Sequence, residues 1–337
     1  MKQIWIPRIG GPDVLEVRQA PDPEPGPGQV RIAVAAAGVN FADLMARMGL
    51  YPDAPPLPAV VGYEDSGTID AVGADVDQGR IGDKVLAMTR FGGYSSAVVV
   101  DERVVARVPE GKDLLEAASI PVTGITSWMM LEVMGRVRRG DRVLVHSAGG
   151  GVGLVALDLL KWRGAWAAGT ASVAKHDFLR DRGYDQLIDY RTEDFERVLS
   201  DGPGFDLILD PVGGESWAKG LRLLRGGGRL ICFGMSANAG GEKRNMFSAM
   251  RNLAAVPWLQ VNPISLMNGN KGVMGVNMGR MWGEAERARG WLEQLMDLWC
   301  EGQLRPMVHA KVPFEHAADA HRMLHERKNL GKVLLVP

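Results

Sequence analysis

A glycine-rich stretch near the middle of the chain has the residue types and the spacing of a turn that holds a phosphate. Residues 141–147 form a strand-like apolar run, residues 149–153 read GGGVG, and helical spacing resumes over residues 154–162. A pyrophosphate must approach backbone N–H groups at the positive end of a helix, and glycine permits that approach. Strand, turn and helix therefore stand in the order that a dinucleotide-binding unit requires. The candidate pyrophosphate contacts are Ser147, Gly150, Gly151, Val152 and Gly153.

The next predicted strand, residues 165–170, selects the cofactor because no acidic residue stands at its end. Sites that bind NAD usually place an Asp or Glu there, where it accepts hydrogen bonds from the ribose hydroxyl groups. This chain instead reads GTASVAKH, with hydroxyl groups on Thr170 and Ser172 and a cation on Lys175. Such donors neutralise a 2′-phosphate, which a carboxylate would repel. The sequence therefore predicts NADPH rather than NADH, held in part by Ser172 and Lys175.

The elements around this turn follow two patterns along the chain. Up to about residue 113 the chain is strand-like and punctuated by glycine, with alternation or β-branched residues over 29–39, 65–73 and 94–109, and helical spacing begins near Leu114. That pattern predicts a compact antiparallel β domain. From residue 122 onward strands and helices alternate with short connections, which predicts parallel βαβ units in a doubly wound sheet. The predicted fold class is α/β with a separate β-rich domain.

The last part of the chain returns to β structure, which predicts that the β-rich domain is discontinuous. An amphipathic helix over residues 284–300 is followed by the strand MVHAKVPF, a helix over residues 316–327 and the closing strand GKVLLVP. This material lacks a core of its own, so we expect it to pack on the N-terminal domain. The predicted domains are residues 1–121 with 279–337, and residues 122–278.

Composition and charge exclude several classes of function. The 337 residues carry a formal net charge of −1, which gives no general electrostatic basis for binding nucleic acid or an anionic membrane. Two cysteines can form neither a disulfide framework nor a four-thiolate zinc site. The N-terminus lacks the pattern of a secretory signal, and no window reaches the roughly 18 uninterrupted apolar residues of a membrane span. We therefore expect a cytoplasmic protein with a small-molecule substrate.

Several segments together resemble one family. They are GVNFADLMARMGLYP, VGYEDSGTIDAVGADV, VLVHSAGGGVGL, GTASVAKH, DPVGG and NLGKVLLVP. The sequence resembles the zinc-independent quinone oxidoreductases of the medium-chain dehydrogenase/reductase superfamily, and is most similar to the vesicle amine transport protein branch. The resemblance implies a GroES-like catalytic domain, a Rossmann domain, a cofactor in the cleft between them and commonly a homodimer.

The residues at the zinc-ligand positions of this superfamily predict no metal. Zinc-dependent relatives place a Cys near GVN and a His in a GHE motif, where this chain has Asn40 and Tyr63. The segment that holds structural zinc in those relatives reads RFGGYSS here, without sulfur. Neither zinc site can form without thiolate or imidazole ligands. The resemblance therefore implies an acceptor that takes hydride without metal assistance, which is a quinone or an alkene conjugated to a carbonyl.

The resemblance also assigns roles to individual residues. Asn40 offers an amide donor at the nicotinamide end, Tyr51 offers a phenol that can donate a hydrogen bond or a proton, and Asp43 orients their loop. These three residues are the implied catalytic set. The implied further contacts to the cofactor are Thr126, Tyr190, Val212, Gly213, Phe233, Gly234 and Asn329.

Two other functions stay open on the sequence. A trans-acting enoyl reductase of lipid or polyketide synthesis has similar motifs, and differs in accepting a carrier-bound thioester. A nucleotide-binding adaptor on the same fold would use no chemistry at all, because a fold does not dictate a function. Residues 238–267 are the least patterned, and we expect them to contribute to the substrate pocket or a dimer contact. Residues 272–278 form a strand that we expect to pair across a two-fold axis.

Overall fold

The computed structural model describes residues 1–236 and 262–337, and within them the chain separates into two compact units. The first unit comprises residues 1–125 and 278–337, and the second comprises residues 126–236 and 262–277. The first boundary between the units lies inside the helix Pro121–Trp128, between residues 125 and 126, whereas the sequence pattern predicts it directly after Pro121. The predicted contribution of residues 238–267 to a pocket or a dimer contact falls largely outside the described residues.

The strands of these two ranges are numbered in chain order. They are β1 (Lys2–Trp5), β2 (Glu16–Gln19), β3 (Gln29–Val39), β4 (Glu64–Val72), β5 (Lys84–Met88), β6 (Ala97–Asp101), β7 (Val105–Arg107), β8 (Arg142–His146), β9 (Trp166–Ala171), β10 (Gln186–Asp189), β11 (Phe205–Asp210), β12 (Leu224–Cys232), β13 (Gly272–Gly275), β14 (Val308–Pro313) and β15 (Lys332–Val336).

The α-helices of the same ranges are numbered in the same way. They are α1 (Phe41–Arg47), α2 (Leu114–Ala117), α3 (Pro121–Trp128), α4 (Gly151–Arg163), α5 (His176–Arg182), α6 (Phe195–Leu199), α7 (Glu215–Leu223), α8 (Pro263–Gly269), α9 (Ala285–Cys300) and α10 (Ala317–His325). A wider π-helical segment, Met129–Met134, continues α3.

The first unit is built on a mainly antiparallel sheet with strand order β14-β15-β3-β4-β5-β7, and β6 pairs with β3. Alternation along β3 buries Val30, Ile32 and Val34, which pack with residues of β4, β5 and β6 in one apolar core. The C-terminal strand β15 returns to this sheet, where Val333 pairs with Val39. The late strands therefore pack on the N-terminal domain, as the sequence predicts.

The second unit contains a parallel sheet with strand order β10-β9-β8-β11-β12-β13 among its described residues. The predicted alternation of strands and helices is confirmed over this region. A 3₁₀ turn over Val173–Lys175 separates β9 from α5, which begins at His176. The first strand of the unit, β8, lies between β9 and β11, so the chain changes direction across the sheet at this strand. Open α/β sheets bind ligands beyond the carboxyl ends of the strands at such a point.

Strand β13 lies at the edge of the described sheet and pairs with β12. Its predicted pairing across a two-fold axis stays a prediction. Among the helices of residues 1–236 and 262–337, none has the length and hydropathy needed to cross a membrane.

Candidate functional site

The turn after β8 gives the second unit an uncapped helix N-terminus. Ser147 is exposed and has a φ of 59°, a left-handed conformation that non-glycine residues seldom adopt and that is often found at functional sites. Gly150 precedes α4 in extended conformation and supplies no side-chain cap. The N–H groups of the first helical turn have no acceptor within the helix. Backbone donors and the positive helix end therefore meet at the carboxyl edge of the sheet, where an anion binds favourably.

Gly150 and Gly153 of this turn are glycine for different structural reasons. A Cβ on Gly153 would lie 2.5 Å from the Ala148 carbonyl oxygen and 2.6 Å from that of Ser147, so the fold itself requires glycine there. A Cβ on Gly150 would have one neighbour within 4 Å, the Ser147 carbonyl oxygen at 3.3 Å, and its φ of −78° suits any residue. Gly150 therefore leaves open a space that a side chain would fill. The residues present fit a bound pyrophosphate.

Two cations lie beyond the ends of β9 and β10. Burial lowers the pKa of Lys175, and the positive charge of Arg191 lowers it further. Lys175 is half-buried, Arg191 is exposed, and Ser172 is buried at the start of the turn that carries Lys175. Arg191 was not among the sequence-predicted contacts, although its position in DYRT, just after the next parallel strand, was a signal. The neighbouring Tyr190 exposes 38% of its surface, as a residue that stacks on a ligand can.

Buried Asp210 organises the turn after β11. Its Oδ1 accepts hydrogen bonds from the N–H groups of Val212 at 2.6 Å and Gly213 at 3.1 Å, and its Oδ2 accepts from Ser216 Oγ at 2.5 Å. The Phe233 N–H group donates to the Asp210 carbonyl oxygen at 3.1 Å, which brings the end of β12 to the same edge. The structure thus brings together the predicted residues that follow β11 and β12.

Two implied cofactor contacts, Thr126 and Asn329, belong to other elements than the strand ends described above. Thr126 is buried in α3, at the start of the second unit. Asn329 belongs to the first unit, where its Nδ2 donates to the Gly331 carbonyl oxygen at 2.7 Å in the loop before β15. Their roles at the nicotinamide stay predictions.

The first unit contains a buried ion pair between distant segments. Lys332 Nζ donates to Asn40 Oδ1 at 2.5 Å and forms a salt bridge with Glu64, whose side chain is fully buried. Asn40 Nδ2 donates to Glu64 Oε1 at 2.9 Å and to the Gly38 carbonyl oxygen at 3.3 Å. The amide of Asn40 therefore has its oxygen and both of its donor positions occupied by the protein. Its geometry suits a positioning residue.

Glu64 uses its second oxygen to hold a helix end. Its Oε2 accepts a hydrogen bond from the Val122 N–H group in the first turn of α3 at 2.7 Å. The carboxylate passes so close to Gly38 that a Cβ there would lie 2.7 Å from Glu64 Cδ. One carboxylate thus joins β4, β15, the end of β3 and α3. Neither Glu64 nor Lys332 was among the sequence-predicted site residues, although Glu64 follows Tyr63 in VGYEDSG and Lys332 lies in NLGKVLLVP.

Asp43 fixes the loop that carries Asn40. Its Oδ2 accepts from the Asn40 N–H group at 2.7 Å, and its Oδ1 accepts from the Gly62 N–H group at 3.1 Å. Burial raises the pKa of Asp43 to about 7, against these two donors, which favour the charged form. The structure therefore supports the predicted orienting contact of Asp43 with the loop.

An aromatic cluster lies beside these groups and consists of Tyr51, Tyr63 and Phe91. The rings of Tyr51 and Tyr63 meet edge-to-face with centroids 6.1 Å apart, and the centroids of Tyr63 and Phe91 are 5.3 Å apart. Tyr51 is half-buried, whereas Tyr63 exposes 7% of its surface. Burial raises the pKa of both phenols, so both carry a proton at neutral pH.

The zinc-ligand positions of the superfamily therefore hold an amide and a phenol, each packed in a defined place. Within residues 1–236 and 262–337, no group of three or more His, Cys, Asp or Glu side chains is arranged to hold a metal ion.

Comparison with protein families gives two matches along the chain. Residues 26–110 match the family described as the alcohol dehydrogenase GroES-like domain. Residues 182–335 match the family described as zinc-binding dehydrogenase.

One curated relative and two solved structures extend this similarity to nearly the whole chain. The synaptic vesicle membrane protein VAT-1 homolog of Homo sapiens is 39% identical over 307 residues, which cover 90% of this chain and 77% of the relative. The Escherichia coli quinone oxidoreductase complexed with NADPH has a TM-score of 0.87 and 28% identity, and all of each chain is covered. The CurK enoyl reductase has a TM-score of 0.84 and 26% identity, covering 99% of this chain and 98% of that one.

Replacing each turn glycine by alanine separates ligand contact from folding. Gly150→Ala is expected to change the free energy of unfolding by less than about 1 kcal/mol, while weakening NADPH binding at least tenfold because the methyl group enters the phosphate space. Gly153→Ala is expected to destabilise the fold by about 1–3 kcal/mol, because its Cβ meets backbone oxygens. Urea unfolding and nucleotide titration by fluorescence measure the two quantities. Equal losses of stability would contradict this division.

Substituting Gly38 tests the buried ion pair. In Gly38→Ala the Cβ displaces Glu64 and leaves Lys332 without its counter-charge, which is expected to cost about 3–5 kcal/mol in the free energy of unfolding. Gly290→Ala, at a helical position with open space around it, is the control and is expected to change stability by no more than about 1 kcal/mol. A Gly38→Ala protein as stable as the control variant would show that Glu64 and Lys332 do not depend on each other.

Proposed function

The chain belongs to the medium-chain dehydrogenase/reductase superfamily and is an oxidoreductase of that group, and from this membership we propose that it transfers hydride from NADPH to a quinone or an α,β-unsaturated carbonyl compound without zinc. The observation that carries the proposal is the space at Gly150, which the fold does not need and a pyrophosphate would fill. The NADPH complex of the similar Escherichia coli enzyme supports the choice of nucleotide.

The second unit supplies the proposed nucleotide site. The turn from Ser147 to Gly153 and the first N–H groups of α4 hold the pyrophosphate, because they offer backbone donors at a positive helix end. Ser172, Lys175 and Arg191 hold the 2′-phosphate, since two cations and a hydroxyl group neutralise its charge. When bound, the reduced nicotinamide supplies the hydride.

The first unit supplies the proposed acceptor site. Tyr51 is the donor to the acceptor's oxygen, because its phenol is half-buried and stays protonated at neutral pH. Asn40 and Asp43 position the segment that leads to Tyr51, since their side chains are engaged by Lys332, Glu64 and backbone N–H groups. A fixed donor of this kind stabilises the negative charge that grows on an oxygen during the reaction.

The acceptor class follows from the residues at the zinc-ligand positions. Asn40 and Tyr63 replace the Cys and His of zinc-dependent relatives, so the site lacks those two metal ligands, and the hydrogen-bond donor left to face an acceptor is Tyr51. Quinones and conjugated carbonyls accept hydride with such assistance alone. We also propose a homodimer, in which the edge strand β13 pairs with its symmetry mate.

A second candidate is an enoyl thioester reductase. The similarity to the CurK enoyl reductase supports it, because reduction of an enoyl thioester also places charge on a carbonyl oxygen. The two candidates differ in the acceptor and not in the nucleotide. A nucleotide-binding adaptor is the third candidate, and the VAT-1 similarity is the reason to test it.

The test of the proposed function is oxidation of NADPH, followed by its absorbance, against three acceptor classes. The panel contains 1,4-naphthoquinone and related quinones, conjugated ketones and aldehydes, and an enoyl-CoA thioester. Turnover with a quinone or conjugated ketone is the expected result. Turnover restricted to the thioester would favour the enoyl reductase, and binding of NADPH without turnover of any acceptor would favour the adaptor.

Removing the cations tests the choice of nucleotide. Lys175→Ala and Arg191→Ala are each expected to raise the KM for NADPH about tenfold, the loss of one charge-assisted contact, while leaving the KM for NADH unchanged. Arg180→Ala is the matched control, because Arg180 is exposed and already paired with Asp177. An equal effect of the substitutions on both nucleotides would place these cations away from the 2′-phosphate.

A further inference from the structure

The hydroxyl group of Tyr63 is buried, and among the described residues it makes no hydrogen bond of ordinary geometry. A buried donor without such a bond lowers stability, because its hydrogen bond to water is lost on folding and not replaced. Phenylalanine would fill the same space without that loss. The hydroxyl group therefore does not stabilise the described fold, and a role in the reaction would explain its presence.

The ring of Tyr63 is held in place on two sides. Phe91 packs against one part of it with centroids 5.3 Å apart, and Tyr51 meets it edge-to-face at an interplanar angle of 83°. The hydroxyl group therefore cannot swing away to another partner without loss of these contacts. Its phenolic neighbour Tyr51 is the more exposed of the two side chains, so Tyr51 is the one that a ligand can reach.

Burial keeps both phenols protonated. It raises the pKa of Tyr63 far above its ordinary value, and the negative charges of Asp43 and Asp53 add to the rise. Asp53 is itself paired with Arg280 at 2.7 Å. Burial also raises the pKa of Tyr51, and the Tyr63 hydroxyl group acts against that rise as a donor to the Tyr51 oxygen would. Both phenols are therefore protonated at neutral pH and can donate a hydrogen bond.

From this geometry we propose that Tyr63 is a positioning residue for Tyr51. When an acceptor is bound, the Tyr51 hydroxyl group donates to the acceptor's oxygen, and the Tyr63 hydroxyl group, which makes no ordinary hydrogen bond among the described residues of the free protein, donates to the Tyr51 oxygen. Donors in series polarise one another, so Tyr51 becomes a stronger donor when its oxygen accepts this bond. The proposal rests on the proposed function, since it needs an acceptor whose oxygen gains negative charge.

The test is Tyr63→Phe, which keeps the ring contacts and removes only the hydroxyl group. With NADPH and 1,4-naphthoquinone, kcat is expected to fall about tenfold while the dissociation constant of NADPH stays unchanged. The melting temperature is expected to stay the same or rise. Tyr94→Phe is the stability control, because the Tyr94 hydroxyl has a partner in His321 Nε2 at 3.2 Å, and losing that bond is expected to lower the melting temperature.

A double variant separates a positioning role from an independent one. Tyr51→Phe combined with Tyr63→Phe is expected to react no more slowly than Tyr51→Phe alone, because Tyr63 acts through the Tyr51 hydroxyl. Losses that multiply in the double variant, or a Tyr63→Phe enzyme with the kcat of the wild type, would overturn the proposal. A wild-type protein that reduces none of the acceptors would instead refute the proposed function, and this inference with it.

Discussion

The buried ion pair between Lys332 and Glu64 is the interaction on which the site in the first unit depends. The Lys332 ammonium group lies between the Glu64 carboxylate and the Asn40 amide oxygen, and a charge in such a place is tolerated only with full compensation. Because Glu64 also accepts from the Val122 N–H group, the ion pair joins the closing strand to the start of α3. The loop that leads to Tyr51 therefore gets its position from an electrostatic contact between chain segments that are far apart in sequence.

The two units solve the same problem of holding a charge by different means. The first compensates a side-chain cation with a carboxylate and an amide, all of them buried. The second offers an anion its backbone N–H groups at Gly150 and α4, together with the cations of Lys175 and Arg191 at the rim. A mobile, charged ligand suits the second arrangement, because Gly150 and Lys175 are only half-buried and Arg191 is exposed, whereas the first arrangement is complete without any ligand.

Where relatives with zinc place Cys and His, this chain uses an amide held in place and a phenol packed between two rings. The positive charge nearest to the amide is that of Lys332, which Glu64 neutralises. Substrate polarisation in the proposed reaction therefore falls to neutral donors such as Tyr51, and neutral donors are effective only when their direction is well defined. This requirement for a defined direction explains why several buried hydrogen bonds and an ion pair hold the short segment that leads to Tyr51.

The sequence by itself indicated the parallel sheet, the return of the late strands to the β-rich sheet, the glycine turn after β8 and the absence of an acid after β9. Each of these follows from local periodicity or from residue types within a few positions of one another, and local patterns can be read without coordinates. Only the tertiary structure decided that Lys332 meets Asn40 across 292 positions, that Arg191 stands beside Lys175, and that the Tyr63 hydroxyl makes no ordinary hydrogen bond in the described chain. These features depend on chain segments that follow or belong to different strands, and no local pattern encodes which distant side chains a folded sheet brings near one another.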